Sequence, residues 1–258
     1  MFSIKRRNTL AWLAGASLLP RTWAAEKPWD LLVYCGITMI RPMTEIARLF
    51  EQREGVTISL AQGGSENLYQ SARKTGVGEF YLPGEPSFYF EHEKEGLFVE
   101  KVTVGYNQMS LMVAKGNPKG VKADVRELLR KDLVVALGNA ESGSVGKESK
   151  TILDGLGLYP RIVRQAAFLS PDSRSLVNAL KQGDADLIMN WRAVGHFPDN
   201  APKIDVIDLP VGIAKPQPLY LILLKSARNP ALARRFSRLA SGPEGQAIFR
   251  KHGFLVGQ

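Results

Sequence analysis

The feature that most constrains this chain is a recurring passage: a short apolar run stops at small residues, and a helical pattern begins at once. LLVYCGITM (residues 31–39) and ISLAQGGSENLYQ (residues 58–70) are two such passages. In the first, Leu31 to Cys35 reads as a strand. MTEIARLFEQREG then places Met43, Ile46, Ala47, Leu49 and Phe50 on one helical face before Gly55. In the second, Val56 to Leu60 reads as the strand and Glu66 to Lys74 as the helix. Strands separated by helices of about ten residues require crossover connections and a mainly parallel sheet.

The plan recurs downstream. EFYL (79–82) reads as a third strand, SFYFEHEKEGLF as a helix, Leu111 to Ala114 as a strand and VRELLRK as a helix. LVVALGN (133–139) is a further strand, and GSVGKESKTILDGLGL runs from a loop into a helix. SRSLVNALKQGDADLIMNW supplies a helix with Leu176, Val177 and Leu180 on one side, a Gly-Asp turn and a strand ending at Trp191. LYLILLK (219–225) is a late strand, followed by two helices split at Ser241-Gly242-Pro243.

The expected architecture is therefore α/β with two lobes, each a mainly parallel sheet flanked by helices, joined by two hinge strands. Lobe 1 is assigned residues 25–108 plus 213–258, and lobe 2 residues 109–212. The hinge segments are placed at residues 102–110 and 208–216, where Gly105 and Gly212 permit backbone change. Two lobes joined in this way enclose a cleft.

Residues 1–24 read as a signal peptide: Lys5, Arg6 and Arg7, an apolar run from Leu10 to Leu19, then Pro20 and the small residues Thr22 and Ala24. Arg6-Arg7 resembles a twin-arginine signal, and the Sec route is the alternative. About ten apolar residues are too few to span a bilayer, which needs about twenty. The expected mature protein is periplasmic, monomeric and not inserted in the membrane. Removing the segment turns 34 basic against 25 acidic residues into 30 against 25. Such a mild excess suits an anionic ligand and is too diffuse for nucleic acid. A single cysteine, Cys35, excludes an internal disulfide and a cysteine-based metal cluster.

Ligands of parallel sheets sit beyond the carboxyl ends of strands, where helices begin. Four turns offer donors there. Gly36-Ile37-Thr38 presents Thr38, and Gly63-Gly64-Ser65 presents Ser65. GNAESGSVG (138–146) presents Ser142, Gly143 and Ser144, and SPDSR (170–174) presents Ser173. One Ser or Thr before a helix is ordinarily an N-cap. Four aimed at one cleft make an oxyanion site, served by amides, hydroxyls and positive helix ends.

The chain resembles the periplasmic molybdate-binding protein family of ABC importers, from about Leu31 to Phe254. YCGITM is similar to the first anion loop of that family, with Thr38 at its Ser position, and GGSENL matches G-x-S-x-x-L through Ser65. GEFYLPG (78–84) departs from A-D-V-F-x-S-A. GDADLIMNW resembles G-[ED]-A-D-x-x-x-x-Y, with Trp191 where the family has a ligand-contacting Tyr, and SGPEGQAIFRKHGF resembles the closing helix.

The resemblance implies a solute-binding protein that captures a small tetrahedral oxyanion such as molybdate or tungstate and delivers it to an inner-membrane ABC permease. No cofactor and no metal are expected. The ligand-binding set is Thr38, Ser65, Ser142, Gly143, Ser173 and Trp191. Cys35, Arg41, Arg174 and Arg192 stand behind it, the arginines as a solvated rim and Cys35 as a small buried strand residue. Two rivals stay open: a sensor module serving a membrane kinase, and a periplasmic enzyme using Cys35. Other constellations fall short. His92 in EHEKEG reads as part of a solvated charged face, and GSVGKES lacks the full phosphate-loop spacing.

Overall fold

A computed structural model describes residues 29–257 of the chain. The proposed signal peptide lies outside the described residues. Strand β1 (Leu31–Gly36) is buried along its whole length, as its unbroken apolar run requires. It lies between β2 (Ile58–Gly63) and β3 (Phe80–Leu82), parallel to both. Two antiparallel neighbours complete the sheet, β10 (Gln217–Leu224) and β4 (Phe98–Asn107), in the order β2-β1-β3-β10-β4.

A second sheet has the same pattern. β6 (Val135–Gly138) pairs in parallel with β7 (Phe168–Ser170) and β8 (Leu187–Trp191). β5 (Met109–Ala114) then runs antiparallel to both β8 and β9 (Ile204–Asp208), giving β7-β6-β8-β5-β9. Four strands of each sheet point one way, and the reversed strand is the one on which the chain enters from the other sheet. The crossovers are short: Gln108 alone between β4 and β5, and residues 209–216 between β9 and β10. The Gln108 side-chain amide donates to the Leu209 carbonyl at 3.2 Å and the Ala214 carbonyl at 2.7 Å, tying one crossing to the other.

Gly105, read as a hinge, sits inside β4 opposite Leu219 and beneath Phe249. VRELLRK forms a 3-10 turn at Val125–Leu129 in place of a helix. The EHEKEG segment is more than a solvated face, because His92 stacks on the Tyr69 ring at 3.7 Å and reaches the Glu95 carboxylate at 2.6 Å.

Helices flank both sheets. α1 (Ile40–Glu54) buries Met43, Ile46, Ala47 and Phe50, and α2 (Ser65–Thr75) buries Leu68, Tyr69 and Ala72. α4 (Ser144–Gly155) and α6 (Ser173–Gln182) cover the second sheet, with α3 (Ser87–His92), α5 (Tyr159–Gln165) and α7 (Arg192–Gly195) between elements. α8 (Pro230–Ser241) and α9 (Pro243–Lys251) return to the first sheet. There Phe236 packs edge-on to Phe50 at 5.3 Å and against Phe80 at 5.5 Å. Among the described residues no helix is long and apolar enough to cross a membrane.

Phe236 is fully buried where α1, β3 and α8 meet. Phe236→Ala is therefore expected to lower unfolding free energy by about 3–5 kcal/mol, measured by urea denaturation followed by circular dichroism.

Candidate functional site

Four helix starts meet at the seam between the two units. Thr38 belongs to a 3-10 turn (Ile37–Met39) that leads into α1, while Ser65, Ser144 and Ser173 are the first residues of α2, α4 and α6. All four are among the walls of one small cavity, about 10 Å³ in volume. Each hydroxyl thus stands within its helix or turn, and the residue before that element takes the cap position. Those preceding residues are Gly36, Gly64, Gly143 and Asp172. Among the described residues, the starts at Ile37, Ser65 and Ser144 carry no capping side chain. Asp172 caps only the Ser175 amide at 2.8 Å. The first amides of a helix have no partner within it, so these starts present N–H groups and positive dipole ends to the cavity.

Two of the hydroxyls are held as acceptors from behind. The Gly84 N–H donates to Ser65 Oγ at 3.0 Å, and the Trp191 indole N–H donates to Ser144 Oγ at 3.2 Å. Both protons stay available for a ligand. Behind Ser173, the Asn190 amide donates to the Ser173 carbonyl at 3.0 Å and fixes the start of α6 against β8.

Close approach of the units depends on two glycines. A Cβ on Gly84 would stand 2.1 Å from Ser144 Oγ, and one on Gly64 would stand 2.8 Å from the Ser142 carbonyl oxygen. Gly84 lies in the GEFYLPG segment, whose departure from the family pattern concealed its place at the cavity. The same segment carries Glu79, a fully buried carboxylate that accepts from the Leu32 amide at 2.6 Å and meets Arg228 at 3.3 Å.

Thr38, Ser65, Gly143 and Ser173 stand together on the walls of this cavity. Ser142 and Trp191 are corrections. The Ser142 hydroxyl donates to the carbonyls of Pro171 at 2.9 Å and Asn139 at 3.3 Å, and Ser144, two residues on, faces the cavity. Trp191 is fully buried one layer back, its indole N–H spent on Ser144.

Among the described residues no basic side chain lines this cavity. Arg41 and Arg174 instead reach across the seam, Arg41 to Asp199 at 2.6 Å and Arg174 to Gln62 at 3.0 Å. Arg192 bonds Asp208 at 2.9 Å and the Gly253 carbonyl at 3.1 Å. Cys35 is fully buried, its thiol pushed far up by burial, with Sγ 3.5 Å from the Gly36 carbonyl oxygen. A nucleophilic thiolate is strongly disfavoured there. No group of three or more metal-ligating side chains is assembled among the described residues.

Two buried carboxyls, one from each unit, belong to segments that wall the cavity. Glu85, next to Gly84, is raised by burial and partly held back by hydrogen bonds from Ser87. Glu148, one turn into α4, is pushed up to about 7, first by burial and then by the Glu85 charge, against a hydrogen bond from Gln217.

Two α/β units meeting at a small cavity of helix starts give the fold of the type II periplasmic binding proteins. The model of the bacterial extracellular solute-binding protein family matches residues 31–255, and the chain belongs to that family. It is similar to a putative binding protein of Haemophilus influenzae, 20% identical over 243 residues that cover 94% of this chain and 97% of that one. It is also similar to the molybdate-binding protein ModA of Mycobacterium tuberculosis, 23% identical over 227 residues covering 87% and 84%. The solved periplasmic molybdate-binding protein of Azotobacter vinelandii has the same fold, with a TM-score of 0.73 at 15% identity, covering 88% of this chain and 100% of that one.

Gly84→Ala is expected to keep the units from closing. Small-angle scattering would then give a radius of gyration above that of the wild type, and equal radii would contradict the close-approach role. For Glu148, the folded protein binds the proton more tightly than the unfolded chain. Stability from this group is greatest below the ordinary carboxylate value of 4.5 and falls as pH rises towards about 7. Glu148→Gln should remove that fall, on the order of 2 kcal/mol between pH 5 and pH 8, read from urea denaturation at both pH values.

Proposed function

We propose that this protein is the periplasmic receptor of an ABC importer and that its seam cavity holds a small tetrahedral oxyanion group, with molybdate and tungstate as first candidates. Residues 1–24 direct export. Lobe 1 (25–108 plus 213–258) and lobe 2 (109–212) close about their two crossovers, and the loaded monomer delivers the anion to an inner-membrane permease. One observation carries this reading: four helix starts drawn from both units, with Thr38, Ser65, Ser144 and Ser173 at their heads, face one cavity without a basic side chain among the described residues.

Amide and hydroxyl donors fit an oxyanion because each hydrogen bond to a charged group contributes about 1.5–3 kcal/mol. Six or seven of them offset an association cost on the order of 4–15 kcal/mol. Closure strengthens them by excluding water. Trp191 and Gly84 act through the serines they orient, and no chemical change to the ligand is required. The burial of Cys35 weighs against the enzyme alternative.

Titration calorimetry of the mature chain with molybdate, tungstate, sulfate and orthophosphate tests the reading. At least one anion is expected to bind in the micromolar range or tighter. Ser65→Ala and Ser144→Ala should each weaken it by roughly 10- to 150-fold, the equivalent of 1.5–3 kcal/mol. Cys35→Ser should keep the anion. Binding confined to amino acids or sugars would overturn the proposal.

A further inference from the structure

Two buried carboxyls beside a cavity suited to an anion are an electrostatic misfit. Glu85 and Glu148 both lie close to the contact of Gly84 with Ser144, two residues that wall the cavity. Glu85 follows Gly84, where a Cβ would stand 2.1 Å from Ser144 Oγ. Glu148 is four residues beyond Ser144 on the same face of α4, about 6 Å along the helix axis. One carboxyl therefore comes from each unit, and a charge on either acts on whatever the cavity holds.

Neutral groups are their partners. Glu85 accepts from the Ser87 amide at 2.8 Å and the Ser87 hydroxyl at 2.5 Å, and Glu148 accepts from the Gln217 side-chain amide at 3.1 Å. Neither forms an ion pair among the described residues. The nearby cations are spent or set apart. Lys147, beside Glu148 on α4, is paired with Glu91 of α3, and Lys150 is paired with Asp154. Lys215, in the crossover before β10, shares a cleft with Glu148 and Gln217 without an ion pair to Glu148 among the described residues. Burial and the Glu85 charge thus dominate at Glu148 and push it up to about 7.

Because the two carboxyls belong to different units, parting the units separates the like charges and admits water to both. Bringing the units together does the reverse, and a dianion in the cavity adds one more like charge. We propose that closure of the seam on its anion draws a proton onto Glu148, so that anion and proton are taken up together and released together. The inference rests on the reading of the cavity as an oxyanion site. Its sign follows from linkage: the closed, loaded form holds the Glu148 proton more tightly than the open form. Anion affinity is therefore full at low pH and falls as pH rises towards and through about 7. Acidic surroundings favour loading.

Titration calorimetry of the mature chain with molybdate and with sulfate, at pH 6, 7 and 8 and in buffers of low and high ionisation enthalpy, tests it. Both probes stay fully ionised over this range, so any proton exchanged belongs to the protein. For the probe that binds, Kd is expected to rise about five-fold or more from pH 6 to pH 8, with uptake of about half a proton per anion at pH 7. Glu148→Gln should keep the affinity seen at pH 6, flatten the pH dependence and abolish the uptake. Glu85→Gln should move the fall in affinity to lower pH, because Glu148 then ionises more easily. A wild-type Kd unchanged between pH 6 and pH 8, or the same rise in Glu148→Gln, overturns the inference and leaves the anion site standing. Binding of neither dianion at any of the three pH values also overturns the inference, and silence from orthophosphate as well overturns both readings.

Discussion

A buried peptide N–H without an acceptor costs roughly 1–3 kcal/mol, and this molecule gathers such groups at one place. Three of the four helix starts at the seam carry no capping side chain among the described residues. The donors that a cap would silence are left for something outside the chain. The fold makes this possible by ending parallel strands of both sheets at the same seam. β1 and β2 lead to the starts at Ile37 and Ser65, and β6 and β7 lead to those at Ser144 and Ser173. Everything else at the site serves to keep those donors dry, oriented and close.

Closeness comes from absent side chains and from pairs at the rim. Gly64 lets backbone meet the Ser142 carbonyl, and Gly84 lets it meet the Ser144 side chain, where a Cβ would collide. Around them Arg41–Asp199, Arg174–Gln62 and Lys147–Glu91 span the seam. Exposed pairs of this kind contribute little each, about 0–1 kcal/mol. Together they hold the two units against each other only weakly. The buried Glu85 and Glu148 act in the opposite sense, since their charged forms repel across the same seam.

Much of this was legible in the residues. Strand runs such as LLVYC, helical faces such as Met43, Ile46 and Phe50, and the serines or threonine between them fixed the class and placed Thr38, Ser65 and Ser173. The misses have physical causes. In ESGSVG two serines stand two residues apart, and only the extended backbone of Gly143 decides that Ser144 begins the helix. Trp191 was placed in the ligand-binding set because it stands where the resembled family has a ligand-contacting Tyr, and position alone does not tell which way an indole turns; its indole N–H is committed to Ser144. β4 and β9 were hidden because they are edge strands. Each carries charge, Glu100 and Lys101 in one and Asp205 and Asp208 in the other, which protects an edge from unwanted pairing and breaks up an apolar run.

Gln108 has a mechanical consequence. Because one side chain holds both chain passages between the sheets, neither passage can flex alone without breaking its bonds to the other. Sliding one sheet past the other would strain the same two bonds that keep the passages side by side, so the register between the two halves is set at a single side chain.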